Sequence, residues 1–390
     1  MAPPCKFGVR CYRRKNKKHM EDFSHEGVDD VRENGSTSGE SPTKVKRSRS
    51  ASGACAEQSV KHTKVDVADD ELSKDVNSKF LVSFPSELFR FWKDINSLLK
   101  DECGSDPCNV LNVLKNLRLV GVFGYLAGHF DRLLTEDEAL LLTKDRFSSD
   151  LPEMRTIAVY DEGRFAYWSD APDEDKPLLI HVDSKMEHFA KLDIAGISDP
   201  VYMIAWLRNR AGDKLANADA FLTKLVHPDC ALCNDKGKYD AKEFRQKYDA
   251  ALKELRAKRR KQSLGEPFHG LGIVVKVEND IGYRPLSETP ARLKRLLEEI
   301  GTADNADIKH KLMEKIMEMV SYVQFANDEM DFGMGLELGH NLFMSNYADF
   351  DKLAASLLSS AYALLGRNEF SCILKAHTGV RRLSEPEKNR

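Results

Sequence analysis

Large apolar side chains are scarce up to residue 75 and dense from Phe80 onward, and this boundary limits more than any motif what the 390-residue chain can fold into. Residues 28–75 are rich in Ser, Gly, Asp, Glu and Lys, a composition that cannot offset the entropy of ordering a backbone, and read as a linker. A hydrophobic content of 42% is enough for real cores. No run approaches the roughly 18 consecutive apolar residues of a membrane helix, and Met1 to Gly8 holds no signal-peptide hydrophobic region. A soluble, non-secreted protein without a membrane partner is expected. Eight cysteines at irregular spacing then point to a reducing compartment and to free or metal-bound thiols rather than disulfides.

Within the apolar region, Leu88, Phe89, Phe91, Trp92, Ile95, Leu98 and Leu99 recur at helical spacing behind Pro85-Ser86. Short β-rich runs follow at 117–122, 156–160, 165–168 and 178–182, each bounded by Gly, Asp or Pro. They predict a small, largely antiparallel sheet. A helical stretch is expected around 201–225. Phe244, Tyr248, Leu252 and Leu255 mark an amphipathic helix that ends in the basic cluster 256–261, where cations suit the helix dipole. Gly270 to Val277 reads as a strand, and 290–300, 308–326, 350–365 and 369–376 read as helices. The expected fold is α+β: an N-terminal mixed subdomain with the sheet (76–235) and a mainly helical C-terminal subdomain (236–380), preceded by a small metal module (1–27) and the linker (28–75).

The charge is polarised. Residues 1–64 carry 14 Lys and Arg against 8 Asp and Glu, or +6, and the rest 45 against 54, or −9. A basic arm suits a polyanion and an acidic body suits a basic partner such as a histone tail, although solubility alone accounts for either half. Inside the arm, 44–49 (KVKRSR) reads as a nuclear import signal or a nucleic-acid contact. At the N-terminus Cys5, Cys11, His19 and His25 provide two thiolates and two imidazoles, the ligand set of a tetrahedral structural zinc site. The stretch is too short for a core of its own, so order there must come from metal. Phe7, Tyr12 and Arg13 stand between the ligands and suit adenine stacking and phosphate contacts.

The segment 327–339 (NDEMDFGMGLELG) crowds Asp328, Glu329, Asp331 and Glu337 among Met, Phe and Leu. Crowded, partly buried carboxylates disfavour their charged forms, so at least one is expected to have a raised pKa and to be usable as a general base. A solvated helix end accounts for the same spacing without any chemistry. Ile308, Leu312, Ile316, Val320 and Val323 form one helical face, which places residues 327–329 at a helix C-terminus, where the dipole disfavours negative charge. Gly333, Gly335 and Gly339 read as a permissive loop able to approach another molecule.

Two resemblances add to these readings. Residues 5–13 (CKFGVRCYR) resemble the opening of a PBZ zinc finger, a poly(ADP-ribose)-binding module, which implies zinc on the four ligands above and polymer contacts by Phe7, Tyr12 and Arg13. The interval from Cys11 to His19 is longer than usual in that family. Four blocks, 84–92 (FPSELFRFW), 268–275 (FHGLGIVV), 279–284 (NDIGYR) and the acidic segment, resemble in order the histone PARylation factor family. This likeness implies a nuclear accessory protein that docks on a DNA-damage-activated poly(ADP-ribose) polymerase and completes its active site for modifying serine on histones. It also implies NAD bound by the polymerase and not by this chain, with Glu329 as the base and Asp328, Arg284, Asp280 and Met313 at the polymerase-contacting surface. Met313 stands where the family is expected to carry an aromatic. Arg284 would either orient Glu329 or, by pairing with it, lower the pKa that crowding is expected to raise.

The chain has no Gly-x-Gly-x-x-Gly turn for a dinucleotide, so no independent turnover is expected. Two other functions fit parts of the pattern: a stand-alone hydrolase using paired carboxylates on a glycosidic or ADP-ribosyl bond, and a poly(ADP-ribose) reader acting through the finger. Glu288 and Glu337 would line a groove for basic tails, or else sit as solvated acids. The Cys230-x2-Cys233 pair with His227 reads as an ordinary loop, with metal binding the alternative, and His269 as a structural histidine.

Overall fold

The computed structural model describes residues 67–99, 106–130, 140–212 and 215–382. The chain divides after Asp70, and the unit Glu71–Arg390 holds the sheet and the helical C-terminal region. Helix α1 (Val67–Phe80) begins ahead of the rise in apolar density, and α2 (Ser86–Leu98) follows. On α2, Leu88, Phe89, Phe91 and Ile95 are buried, the stripe that their spacing predicts. A 3-10 turn (Pro107–Asn109), strand β1 (Arg118–Leu119) and helices α3 (Val122–Leu126) and α4 (Leu140–Thr143) lead into the sheet.

Strands β2 (Met154–Tyr160), β3 (Gly163–Trp168), β4 (Leu178–Asp183) and β5 (Leu192–Ile197) continue β1 in an antiparallel meander whose spatial order is the chain order. Ala166 faces Ile180 and Phe165 faces His181 across the central pair. All of β2 and β3 is buried, so both faces of the sheet centre are covered. β5 is not among the runs read from the sequence. Its Asp193 and Gly196 dilute the apolar signal, and Gly196 is there because a Cβ would lie 2.3 Å from Tyr202 Cγ. The helical stretch after it is two helices, α5 (Val201–Ala211) and α6 (Ala216–Leu225), separated at Gly212 with φ 58°. Helices α5 and α7 (Phe244–Gln262) pack on β5.

The C-terminal region is helical: α8 (Pro290–Thr302), α9 (Ala306–Asp328), α10 (Phe332–Ser345), α11 (Asp351–Leu364) and α12 (Asn368–Val380). Local chemistry starts two of them cleanly. Thr289 accepts the Arg292 N–H ahead of Pro290, and Asn305 accepts the N–H groups of Asp307 and Ile308.

Two expectations fail here. The segment 270–277 is not a strand; Gly270 and Gly272 have φ of 81° and 70°, which breaks extension, and a single bridge joins Ile273 to Leu264. Its carbonyls instead take the Arg259 guanidinium, at 2.7 Å for Leu271 and 3.3 Å for Gly272. The glycines 333, 335 and 339 do not form a loop but lie in α10, buried from Gly333 to Ser345. A helix buried on every side runs through the interior, where its polar Glu337, Asn341 and His340 each have a hydrogen-bond partner, and its glycines admit neighbours. A Cβ on Gly335 would sit 3.1 Å from Val323 Cγ1 of α9, and one on Gly339 would sit 2.6 Å from Leu358 Cδ2 of α11.

One apolar cluster runs from sheet side chains such as Trp168 and Ile180 to helical ones such as Phe343 and Leu358. A polar network crosses it. Glu153 accepts from Tyr362 at 2.8 Å and pairs with His340 Nε2 at 2.9 Å, and His340 Nδ1 lies 3.2 Å from His269 Nε2. All four groups are buried, and burial holds His269 well below the usual histidine range. His269 is thus a core histidine.

Candidate functional site

Helix α9 buries Ile316, Met319, Val320, Val323 and Ala326. Ile308, expected on the same face, is exposed in the first turn. The helix stops as a Schellman reversal: the Met330 N–H bonds to Asn327 O at 3.0 Å and the Asp331 N–H returns to Ala326 O at 2.8 Å. The position that most often holds glycine in this motif is Met330, with φ 63°, a left-handed conformation that costs an L-residue about 1–2 kcal/mol. Glu329 is the C-cap, and Asp331 is the residue that immediately precedes α10, its carboxylate turned away from the helix N-terminus. The two carboxylates are therefore presented by one tight corner between two packed helices.

Arg284 joins them. Its Nη2 lies 2.5 Å from Glu329 Oε2 and 3.0 Å from Asp331 Oδ2. The Arg284 side chain is 6% exposed, Asp331 is fully buried, and the Glu329 side chain is 16% exposed, so the corner has a sealed anchor and an acid with one edge at the surface. The arginine is placed by a backbone staple: the Gly282 N–H donates to Asp331 Oδ1 at 2.9 Å, and the Gly333 N–H donates to Gly282 O at 2.9 Å. Only glycine fits at 282, with φ 130° and the Cβ position 2.1 Å from Lys276 O. Before it, reciprocal 2.9 Å bonds between Glu278 and Ile281 close a two-residue turn whose central Asn279 and Asp280 both have positive φ. Asp280 is exposed at its tip.

Glu329, Asp328 and Arg284 are thus brought together, with Asp328 exposed beside the half-buried Glu329. Met313 is not in this cluster. It lies half-buried more than four turns up α9, roughly 24 Å along the axis. Asp331, one of the four crowded acids, belongs to the corner, as do Gly282 and the exposed apolar pair Phe325 and Met330 (39% and 55% exposed), to which the sequence reading gives no role. Asp331 was legible only as one acid among four, and nothing local marks Phe325 as uncovered.

Within the segment 327–339 the acid with a raised pKa is Glu337, on α10, where burial pushes it up against the opposing effect of hydrogen bonds from the Glu266 N–H and the Tyr283 hydroxyl, each 2.8 Å. It is a buried, bonded group rather than a solvated one. With Glu288 it lines a cavity of about 460 Å³. Cys230 and Cys233 sit in a turn in which the Cys233 thiol contacts His227 O; burial pushes Cys230 up to about 12 and raises Cys233 as well, so both remain protonated thiols. Among the described residues, Asp106, Cys108 and His129 are the group close enough to share a metal ion, their ligand atoms lying within 4.8 Å of one another. Asp106 is engaged in capping the Cys108 N–H, however, and burial drives the Cys108 thiol up to about 12, which makes it a poor ligand. The N-terminal Cys5, Cys11, His19 and His25, with Phe7, Tyr12, Arg13 and the basic run 44–49, lie outside the described residues.

A family model described as histone PARylation factor 1 matches residues 71–381. The chain belongs to this family. It is 31% identical over 355 residues to histone PARylation factor 1 of Mus musculus, covering 86% of this chain and 95% of that protein. It is 33% identical over 331 residues to a putative histone PARylation factor 1-like protein of Homo sapiens, covering 83% and 90%, and 30% identical over 333 residues to the Danio rerio factor, covering 84% and 90%. The family match contains the whole corner built by Arg284, Glu329 and Asp331. Residues 3–27 match the PBZ domain model, which spans all four expected ligands. No helix among the described residues is long and apolar enough to cross a membrane.

Proposed function

We propose that this family member is an accessory factor that docks on a DNA-damage-activated poly(ADP-ribose) polymerase in the nucleus and completes its active site for ADP-ribosylation of serine on histones. The polymerase holds NAD; this chain contributes Glu329. The carboxylate takes the proton from a serine hydroxyl as Oγ attacks the ribose carbon, and the carbon–nitrogen bond breaks with its electron pair leaving on nicotinamide. Unassisted serine is a weak nucleophile, and a positioned base is worth roughly 10²–10⁴-fold. The observation that carries the reading is the corner itself: a half-buried carboxylate held by a buried arginine next to exposed Asp328, Phe325 and Met330.

The ion pair is compatible with this role because Arg284 has two carboxylates. When Glu329 is neutralised by the substrate proton, Asp331 still balances the buried guanidinium, so proton uptake does not strand an unpaired charge. Exposed Phe325 and Met330 give the polymerase an apolar rim to cover, with Asp328 and Asp280 as charged contacts. In the PBZ-like segment Cys5, Cys11, His19 and His25 would hold zinc, and Phe7, Tyr12 and Arg13 would contact poly(ADP-ribose). In a reconstituted reaction, Glu329→Gln is expected to retain polymerase binding and lose at least about 100-fold in serine labelling; unchanged labelling removes Glu329 from the mechanism.

A further inference from the structure

Helix α7 carries eight Lys and Arg against two Asp and Glu in a body whose net charge is negative. Its inward face is fixed by Phe244, Tyr248 and Leu252. Lys253, Arg256 and Arg260, spaced i, i+3 and i+7, form an exposed stripe beside that face. Buried Arg259 pins the helix end by clamping Asp170 and the Leu271 carbonyl, which holds the stripe rigid. Among the described residues none of the three exposed cations forms an ion pair, and Arg256 reaches no more than the Ile194 carbonyl at 3.5 Å. Arg256 and Arg260 line a surface cleft of about 440 Å³. Its acids are Asp193, which faces Arg210 at 3.6 Å, and Glu266.

We propose that this stripe and cleft bind the phosphate backbone of duplex DNA without sequence preference. A charge run on a helix is ordinarily a solvated face, but solvated faces intersperse both signs, and here unpaired cations are concentrated at a concavity. The cleft has no aromatic side chain in its lining. Single-stranded nucleic acid and ADP-ribose polymers are gripped by stacking exposed bases on aromatic rings, whereas a duplex turns its bases inward and offers phosphates. The surface therefore fits the duplex.

The test is fluorescence anisotropy of the full chain with a labelled duplex of about 20 base pairs, titrated at several salt concentrations between about 50 and 200 mM. Three phosphate contacts contribute about 2.7 to the slope of log K against log salt, or about a 40-fold change in affinity across that range. The triple variant Lys253→Gln, Arg256→Gln, Arg260→Gln is expected to lower the slope by about 3. The equal charge change Lys311→Gln, Lys352→Gln, Lys375→Gln, on exposed sites of other helices, is expected to leave it within about 1. Both variants keep the basic arm, so its contribution cancels. Equal slopes for the α7 variant and the parent overturn the proposal. So does an α7 variant that loses single-stranded DNA or poly(ADP-ribose) affinity as strongly as duplex affinity.

Discussion

Asp331 is the residue on which the corner's stability and its chemistry can be separated. Asp331→Ala removes one carboxylate from the buried Arg284 and the acceptor from the buried Gly282 N–H. Breaking a buried ion pair costs about 3–5 kcal/mol, and an orphaned N–H about 1–3 kcal/mol. Because both belong to one network and Glu329 still faces the guanidinium, the two do not add, and about 3–5 kcal/mol in total is expected. Asp331→Asn keeps the shape and an acceptor for Gly282 but loses the charge and turns its amide NH2, a donor, toward the Arg284 guanidinium, for about 1–2 kcal/mol. With a urea slope of about 3 kcal/mol per molar, the midpoint should fall by about 1–1.7 M for Ala and about 0.3–0.7 M for Asn, read by circular dichroism. The Asn variant should nonetheless lose serine-directed activity in the reconstituted reaction, because neutralising Glu329 would then withdraw a second carboxylate charge from the buried guanidinium. Equal midpoints for Ala and Asn, or an Asn variant with full serine labelling, refute the argument that Asp331 is the permanent anchor and Glu329 the releasable acid.

Buried neutral histidines set the acid limb. Burial lowers His181 to about 4 and His377 to about 3 and holds His269 well below the usual range. Groups whose folded pKa is depressed below the unfolded value leave the unfolded chain binding more protons, so stability should fall as pH drops below about 6.5, by up to about 4 kcal/mol per pH unit for three groups; a flat urea midpoint between pH 6.5 and 4.5 contradicts this. Helix glycines should behave oppositely according to their surroundings. Gly339→Ala meets Leu358 at 2.6 Å and should cost about 1–3 kcal/mol, whereas Gly379→Ala meets nothing within 4 Å and should gain about 0.5–1 kcal/mol in thermal or urea unfolding. Zinc removal by a chelator should abolish poly(ADP-ribose) binding by the N-terminal segment and leave the urea transition of the body unmoved, a separation that fails if the body also loses stability.

Local pattern made much of the architecture readable from the amino-acid order. Stripes such as Leu88, Phe91 and Ile95, and caps such as Thr289-Pro290 and Asn305, encode helices through contacts within a few residues. Residues 156–160, 165–168 and 178–182 announce strands because β-rich runs end at turn formers. The position of Glu329 at a helix end was legible for the same reason. Other features depend on distant neighbours and left no local trace. Gly335 and Gly339 look like a loop until Val323 and Leu358 close on them, since packing overrides the poor helix propensity of glycine. Gly196 hides β5 for the sake of Tyr202, and the glycines at 270 and 272 bend an apolar run out of the sheet. Which of four nearby acids is buried, which is anchored and which is open cannot follow from their spacing. Only the tertiary structure, by bringing Arg284 across from the turn at 279–280 and Glu266 and Tyr283 onto Glu337, gave identical side chains different surroundings, and surroundings decide what a carboxylate can do.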